Sequence, residues 1–175
     1  MDNIKNNGIY FISGIKDVIQ SVGGEYRDTK ERPVVALLQS EEHPEIYWAI
    51  PIGDLLHRKE ADIKRIEKYL AFPQQDIRSN FYHIGNTNIR SIFFISDVFP
   101  ITSDYISREY LTYNAQHYVI KNQGLITELN EKLKRILAYE LSRVKKSDKY
   151  YFRQNIFGIY NKLVELHITD MKTIT

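Results

Sequence analysis

The stretch Pro33-Val34-Val35-Ala36-Leu37-Leu38, then Ser40-Glu41-Glu42-His43-Pro44-Glu45, then Ile46-Tyr47-Trp48-Ala49-Ile50-Pro51-Ile52 decides the fold. Two apolar runs rich in β-branched and aromatic residues flank a polar segment containing a proline, the pattern of two paired strands joined by a turn. Pro33 suits the first position of a strand, where a missing N–H costs no ladder bond. Working outward, Ile9-Tyr10-Phe11-Ile12 is a further short strand that stops at Ser13-Gly14. On the other side, Glu60 to Leu70 places Ile63, Ile66 and Leu70 on one helical face and its Lys, Arg and Glu residues off it; Pro73 ends the helix.

Phe81 to Ile84 and Ser91 to Ile101 read as strands around the turn Gly85-Asn86-Thr87-Asn88. Beyond Pro100 the period changes. The spacing predicts a helix over 109–122 stopped by Gly124, a second carrying Leu125, Leu129, Leu133, Ile136, Leu137 and Val144, and a third capped by Ser147 or Asp148 with Phe152, Ile156, Ile159, Leu163 and Leu166 on its apolar face. The expectation is an α+β chain forming a single domain over 1–175, sheet-rich over 8–101 and helical over 105–167.

With 43% hydrophobic and 13% aromatic residues among 175, the chain can fill a core. It has no cysteine, which removes disulfides, thiolate metal sites and cysteine nucleophiles and fits a reducing, cytoplasmic setting. No signal peptide pattern and no apolar run of membrane-spanning length is present, so no membrane partner is expected. The net charge is only +2, but residues 111–175 hold 11 Lys/Arg against 6 Asp/Glu. A basic C-terminal portion suits a polyanion-binding face.

The five histidines never stand in a metal-binding pair, and there is no D-x-D pair, phosphate loop or nucleophile elbow. These absences point away from two-metal nucleases and P-loop enzymes. RNA can be cut without cofactor or metal, because its 2′-OH is a built-in nucleophile. The protein then supplies a proton acceptor, a proton donor and cations around the phosphorus.

Three segments in order carry a family resemblance. Tyr26-x-x-x-Lys30-x-Arg32-Pro33 leads into a strand. Tyr47-Trp48-Ala49-Ile50-Pro51-Ile52 runs into Gly53-Asp54-Leu55-Leu56-His57-Arg58-Lys59. Ile92-Phe93-Phe94-Ile95-Ser96-Asp97-Val98-Phe99-Pro100-Ile101 is the third. Over roughly residues 8–145 the chain resembles the ToxN/AbiQ-type toxins of type III toxin–antitoxin systems, the CptN/TenpN branch in particular. The resemblance implies a compact SH3-like antiparallel β-barrel of the PemK/MazF/ToxN type with added C-terminal helices. It implies a metal-independent endoribonuclease leaving a 2′,3′-cyclic phosphate, with cellular mRNA as substrate and a role in phage defence. It implies inhibition by a small structured, pseudoknotted RNA antitoxin, cut from a repeated precursor and held in a toxin–RNA hetero-oligomer. One departure is plain: Gly53-Asp54 stands where the family has a hydroxyl pair, and an aspartate accepts where a serine donates.

The candidate catalytic residues are therefore Lys30, Tyr26, Asp54, His57 and His83. Lys30 stabilises the phosphorane or donates a proton; Tyr26 donates a hydrogen bond or stacks on a base. Asp54 orients a histidine or lysine. His57 stands beside Arg58 and Lys59, a cationic setting that favours the neutral imidazole. His83 lies on an aromatic strand before a polar turn. Candidate RNA contacts are Arg32, Arg58, Arg90, Ser91, Lys145, Lys146, Lys149 and Arg153, guanidinium being matched to phosphate. A non-catalytic RNA-binding module and a protein-interaction subunit are the alternatives.

Overall fold

The computed structural model describes residues 4–26, 32–147 and 149–173. Its elements in chain order are β1 (Gly8–Ile12), α1 (Lys16–Ser21), β2 (Pro33–Gln39), β3 (Tyr47–Asp54), α2 (Glu60–Leu70), β4 (Tyr82–Asn86), β5 (Arg90–Phe94), β6 (Phe99–Ile101), β7 (Ile106–Glu109), α3 (Gln123–Ser147) and α4 (Ile156–Thr173). The hairpin at the centre of the sequence forms as expected: β2 and β3 pair antiparallel, with Val35 opposite Ile50. Pro33 opens β2, as its missing donor requires.

The seven strands form one antiparallel sheet ordered β4-β5-β3-β2-β1-β7, with β6 beside the first half of β3. β3 is long enough to serve two neighbours on one side. Its first half pairs with β6, and Ile52, Gly53 and Asp54 pair with Phe93, Ile92 and Ser91 of β5. The sheet does not close into a barrel, because β4 and β7 stand at opposite ends and do not pair with each other.

Alternation along the strands gives the sheet two apolar faces. Ile9, Val35, Ile50, Ile52 and Phe93 share one, which α3 covers with Leu125, Leu129, Leu133 and Ile136. Tyr10, Val34, Ala36, Tyr47 and Ala49 share the other, covered by α1 and by Ile159 and Leu163 of α4. α2 lays Ile66 on Ile92 and Phe94. Trp48 stacks on Tyr160 at 5.3 Å, tying β3 to α4.

Three expectations are corrected. Residues 109–122 are not helical: β7 reaches Glu109, and the chain turns through Ala115 at φ 57°, a left-handed conformation no α-helix passes through. The segment follows the sheet edge, with Tyr110 N–H donating to the Ile9 carbonyl and Ile9 N–H to the Tyr118 carbonyl. Helix therefore begins at 123 rather than 105, and Gly124 lies inside the first turn of α3 instead of ending a helix. The strand expected over 91–101 is broken by a 3-10 turn at Ile95–Asp97, after which β6 resumes pairing with β3 along its first half. α4 starts at Ile156, so Phe152 precedes it. The Asn155 side chain accepts from Gly158 N–H at its start, while Ser147 belongs to the end of α3; Asp148 lies outside the described residues.

Candidate active site

The C-terminal end of β3 carries the most chemistry. Leu55 N–H donates to the Arg90 carbonyl, holding the chain against β5 as it leaves the strand. Asp54 Oδ1 accepts from Leu56 N–H at 2.8 Å, a tight local turn. That turn brings His57 back over the strand end, where its Nδ1 lies 2.5 Å from Asp54 Oδ2. The hydrogen bond from His57 holds the Asp54 carboxyl below the usual carboxylate range, helped by Leu56 N–H and opposed by burial. An ionised carboxylate only accepts, so Nδ1 carries the hydrogen and Nε2 is left as the basic nitrogen. The His57 side chain is 84% exposed and open to a substrate. Its nearest charged partner is thus an anion, not the cationic pair of Arg58 and Lys59 expected from sequence.

The Arg58 guanidinium lies 4.8 Å from the Phe94 ring centre and fills the space above Gly53, where a Cβ would collide with Nη2. Gly53 is needed here for close approach. The Arg58 guanidinium is lowered from its ordinary value by burial first, and then by the like charges of Arg32 and Arg65. Arg65 projects from α2 and bonds Asp62 at 3.1 Å. Arg153, from the α3–α4 connection, reaches Asp97 at 3.6 Å. Burial raises the Asp97 carboxyl, and Arg153, Arg32 and Arg65 oppose that shift. Three arginines from three segments, Arg32, Arg65 and Arg153, therefore act on Asp97, and Arg32 and Arg65 also act on Arg58 beside the Asp54–His57 pair.

On the other face of β3, Asp54 stands opposite Ser91 in the ladder. Ser91 is 1% exposed, and its hydroxyl lies 2.8 Å from Thr87 Oγ1. These residues, with Gly53, Asn88 and Tyr110, line a cavity of about 230 Å³.

The remaining predicted residues fall elsewhere. His83 is not brought to Asp54 or His57. It projects toward α3, with Nε2 3.1 Å from Glu128, in a separate cavity of about 370 Å³ shared with Lys132 and Arg135. Burial, and then Lys132, lower its basicity. Lys132 is itself committed, donating to the carbonyls of Ser79 and Tyr82 at 3.3 and 2.9 Å. Tyr26 is half-buried and packs against the α4-covered core with Val22 and Tyr105. Lys30 lies outside the described residues. Arg90 is exposed at the start of β5; Lys145 and Lys146 are exposed in the last turn of α3, and Lys149 just after it. Among the described residues no three His, Asp or Glu side chains converge as a metal site would need. No described helix is long and apolar enough to cross a membrane.

Arg65, Asp97, Thr87, Asn88 and Tyr110 were not singled out from sequence. Arg65 carried a faint signal, as a cation off the apolar face of α2; Tyr110 was hidden by the helical reading of its segment.

No protein-family model and no curated protein sequence matches the chain. Among solved structures, AbiQ, a lactococcal anti-phage endoribonuclease belonging to the type-III toxin–antitoxin system, superposes with a TM-score of 0.59. The identity is 12%, and the match covers 93% of this chain and 99% of that one. The chain thus has an AbiQ-like fold across nearly its whole length.

Proposed function

We propose that this chain is a metal-independent endoribonuclease toxin of a type III toxin–antitoxin system. The observation that carries the reading is the Asp54–His57 pair beside a cluster of arginines, on a fold like that of AbiQ. Asp54 fixes the His57 tautomer, and Nε2 removes the proton of the ribose 2′-OH. The freed oxygen attacks the adjacent phosphorus, the bond to the 5′-oxygen breaks, and a 2′,3′-cyclic phosphate remains on the upstream fragment. Arg58 and Arg32 neutralise the pentacoordinate phosphorus, for which planar guanidinium groups are suited. Lys30 supplies the proton of the departing 5′-oxygen, and Tyr26 and Ser91 support the substrate. His83, bonded to Glu128, takes no part in proton transfer on this reading.

Arg65, Arg90 and Arg153, with Lys145, Lys146 and Lys149, extend the cationic surface along the RNA backbone. The natural inhibitor is a small structured RNA, cut by the toxin from a repeated precursor and retained in a toxin–RNA assembly; the targets are cellular mRNAs.

The test is a single-turnover cleavage assay with the His57→Ala variant. General acid–base contributions run to about 10²–10⁴-fold, so its rate falls by at least 10²-fold while RNA affinity changes little. An unchanged rate removes His57 from the mechanism. Tight binding of RNA by the wild-type chain without any cutting replaces the proposal with a binding module.

A further inference from the structure

The cavity of about 230 Å³ between the end of β3, the β4–β5 turn and the start of the 110–118 segment borders the catalytic pair through Asp54 and extends away from it. It opens where the α3-covered face of the sheet runs beyond the helix. Ile9, Pro33, Ile52 and Ile89 make its walls, and no lysine or arginine lines it among the described residues. With Asp54 at its rim it repels phosphate, whereas its apolar walls suit a planar heterocycle.

The rim is rich in acceptors. Each Asp54 oxygen takes one hydrogen bond, from Leu56 N–H or from His57, and keeps a further lone pair. The Thr87 and Ser91 hydroxyls lie 2.8 Å apart, and both are within reach of the Ile89 carbonyl, at 3.3 and 3.4 Å. Their hydrogens are satisfied inside the protein; Ser91 is buried, and Thr87 Oγ1, which also accepts from Ile89 N–H, keeps at most one lone pair toward the cavity. Asn88 Nδ2 donates to the Tyr110 hydroxyl at 3.4 Å.

Tyr110 closes one side and begins a row of rings. Its ring centre is 5.7 Å from that of Phe11, over which the Arg108 guanidinium lies at 3.7 Å. Such a row continues the stack of a single strand entering the cavity.

We propose that this cavity is a nucleobase subsite that takes an amino-bearing base, adenine, cytosine or guanine, of the RNA strand whose backbone passes His57. The inference rests on the endoribonuclease reading for its ligand class. Uracil is disfavoured, because it has no exocyclic amino group to donate to Asp54 and offers this rim only its N3–H.

Short 2′-O-methyl oligonucleotides of A, C or U, which cannot be cut, test the subsite by fluorescence anisotropy independently of catalysis. The wild-type chain binds the A and C oligomers at least tenfold tighter than the U oligomer. Tyr110→Ala removes most of that difference. The near-isosteric Thr87→Val, which also removes the bonds of the Thr87 hydroxyl to Ser91 and Ile89, reduces it at least threefold in protein whose urea midpoint shows it folded. Equal affinity of the wild type for all three oligomers, or a preference unchanged in both variants, overturns the proposal. The unmodified RNA oligomers are assayed alongside: their failure to be cut defeats the endoribonuclease reading while leaving the base preference measurable.

Discussion

Gly53→Ala is the sharpest probe of how the arginine cluster is seated. A Cβ at this position would overlap Arg58 Nη2 and lie 3.2 Å from Phe94 Cε2. The flexible arginine gives way, so the guanidinium leaves the Phe94 ring. A cation–π contact of this half-buried kind contributes about 0.5–1 kcal/mol. Opposing the loss, alanine restricts the unfolded chain and stabilises by roughly 0.4–1 kcal/mol where the backbone tolerates it. The net change of the single variant is therefore small and uninformative. The informative quantity is the coupling in a double-mutant cycle with Arg58→Ala. In the Arg58→Ala background the clash is gone and only the alanine effect and the milder Phe94 contact remain. Gly53→Ala should then be more favourable by about 0.5–1 kcal/mol than in the wild type. Urea denaturation of the four proteins reads this coupling directly. RNA affinity adds an independent readout: displacement of Arg58 weakens binding in the single variant and has no further effect once Arg58 is absent. Additivity within about 0.3 kcal/mol refutes the account of why glycine stands here.

Glu140 and His83 give two further expectations. Glu140 is fully buried and accepts twice from Tyr151 N–H at 3.0 Å, fixing the connection that carries Arg153. Burial outweighs these bonds and raises its carboxyl, so stability falls as pH climbs from the ordinary carboxylate value through the raised one. Glu140→Gln should abolish that slope in thermal melts recorded from pH 4 upward. Glu140→Ala orphans the amide and costs about 2 kcal/mol or more, a fall in Tm of roughly 4–8 °C; a slope that persists in the Gln variant contradicts the assignment. His83→Ala, measured by the same single-turnover assay as His57→Ala, should lower the cleavage rate less than tenfold. A larger loss at constant stability would return His83 to the reaction.

Much of the frame could be read from sequence because the relevant signals are local. Alternating or continuous apolar runs around Ser40–Glu45 specify β2 and β3, and the 3.6-residue stripes specify α2, most of α3 and α4. The segment 109–122 defeated the same reasoning. Its apolar residues have helical spacing, but backbone bonds to Ile9 and Gly8's neighbours along the sheet edge decide its conformation. Asp54 and His57 were both named, since they are three residues apart in one turn; that they bond each other follows from the turn, which Leu56 N–H closes. The arginine cluster was only half legible. Arg32, Arg58 and Arg153 drew attention as cations in loops, whereas Arg65 and Asp97 join them only through the packing of α2 and the 3-10 turn after β5. His83 looked equivalent to His57 in sequence and differs because its strand faces α3.

The most direct test of the central claim is cleavage of a mixed-sequence RNA by the purified chain in excess EDTA, with end-group analysis of the fragments. Cutting that EDTA does not slow, 2′,3′-cyclic phosphate on the upstream products, and loss of both in the His57→Ala variant are the expected results. RNA left intact, or products ending in a 3′-hydroxyl, would contradict the claim.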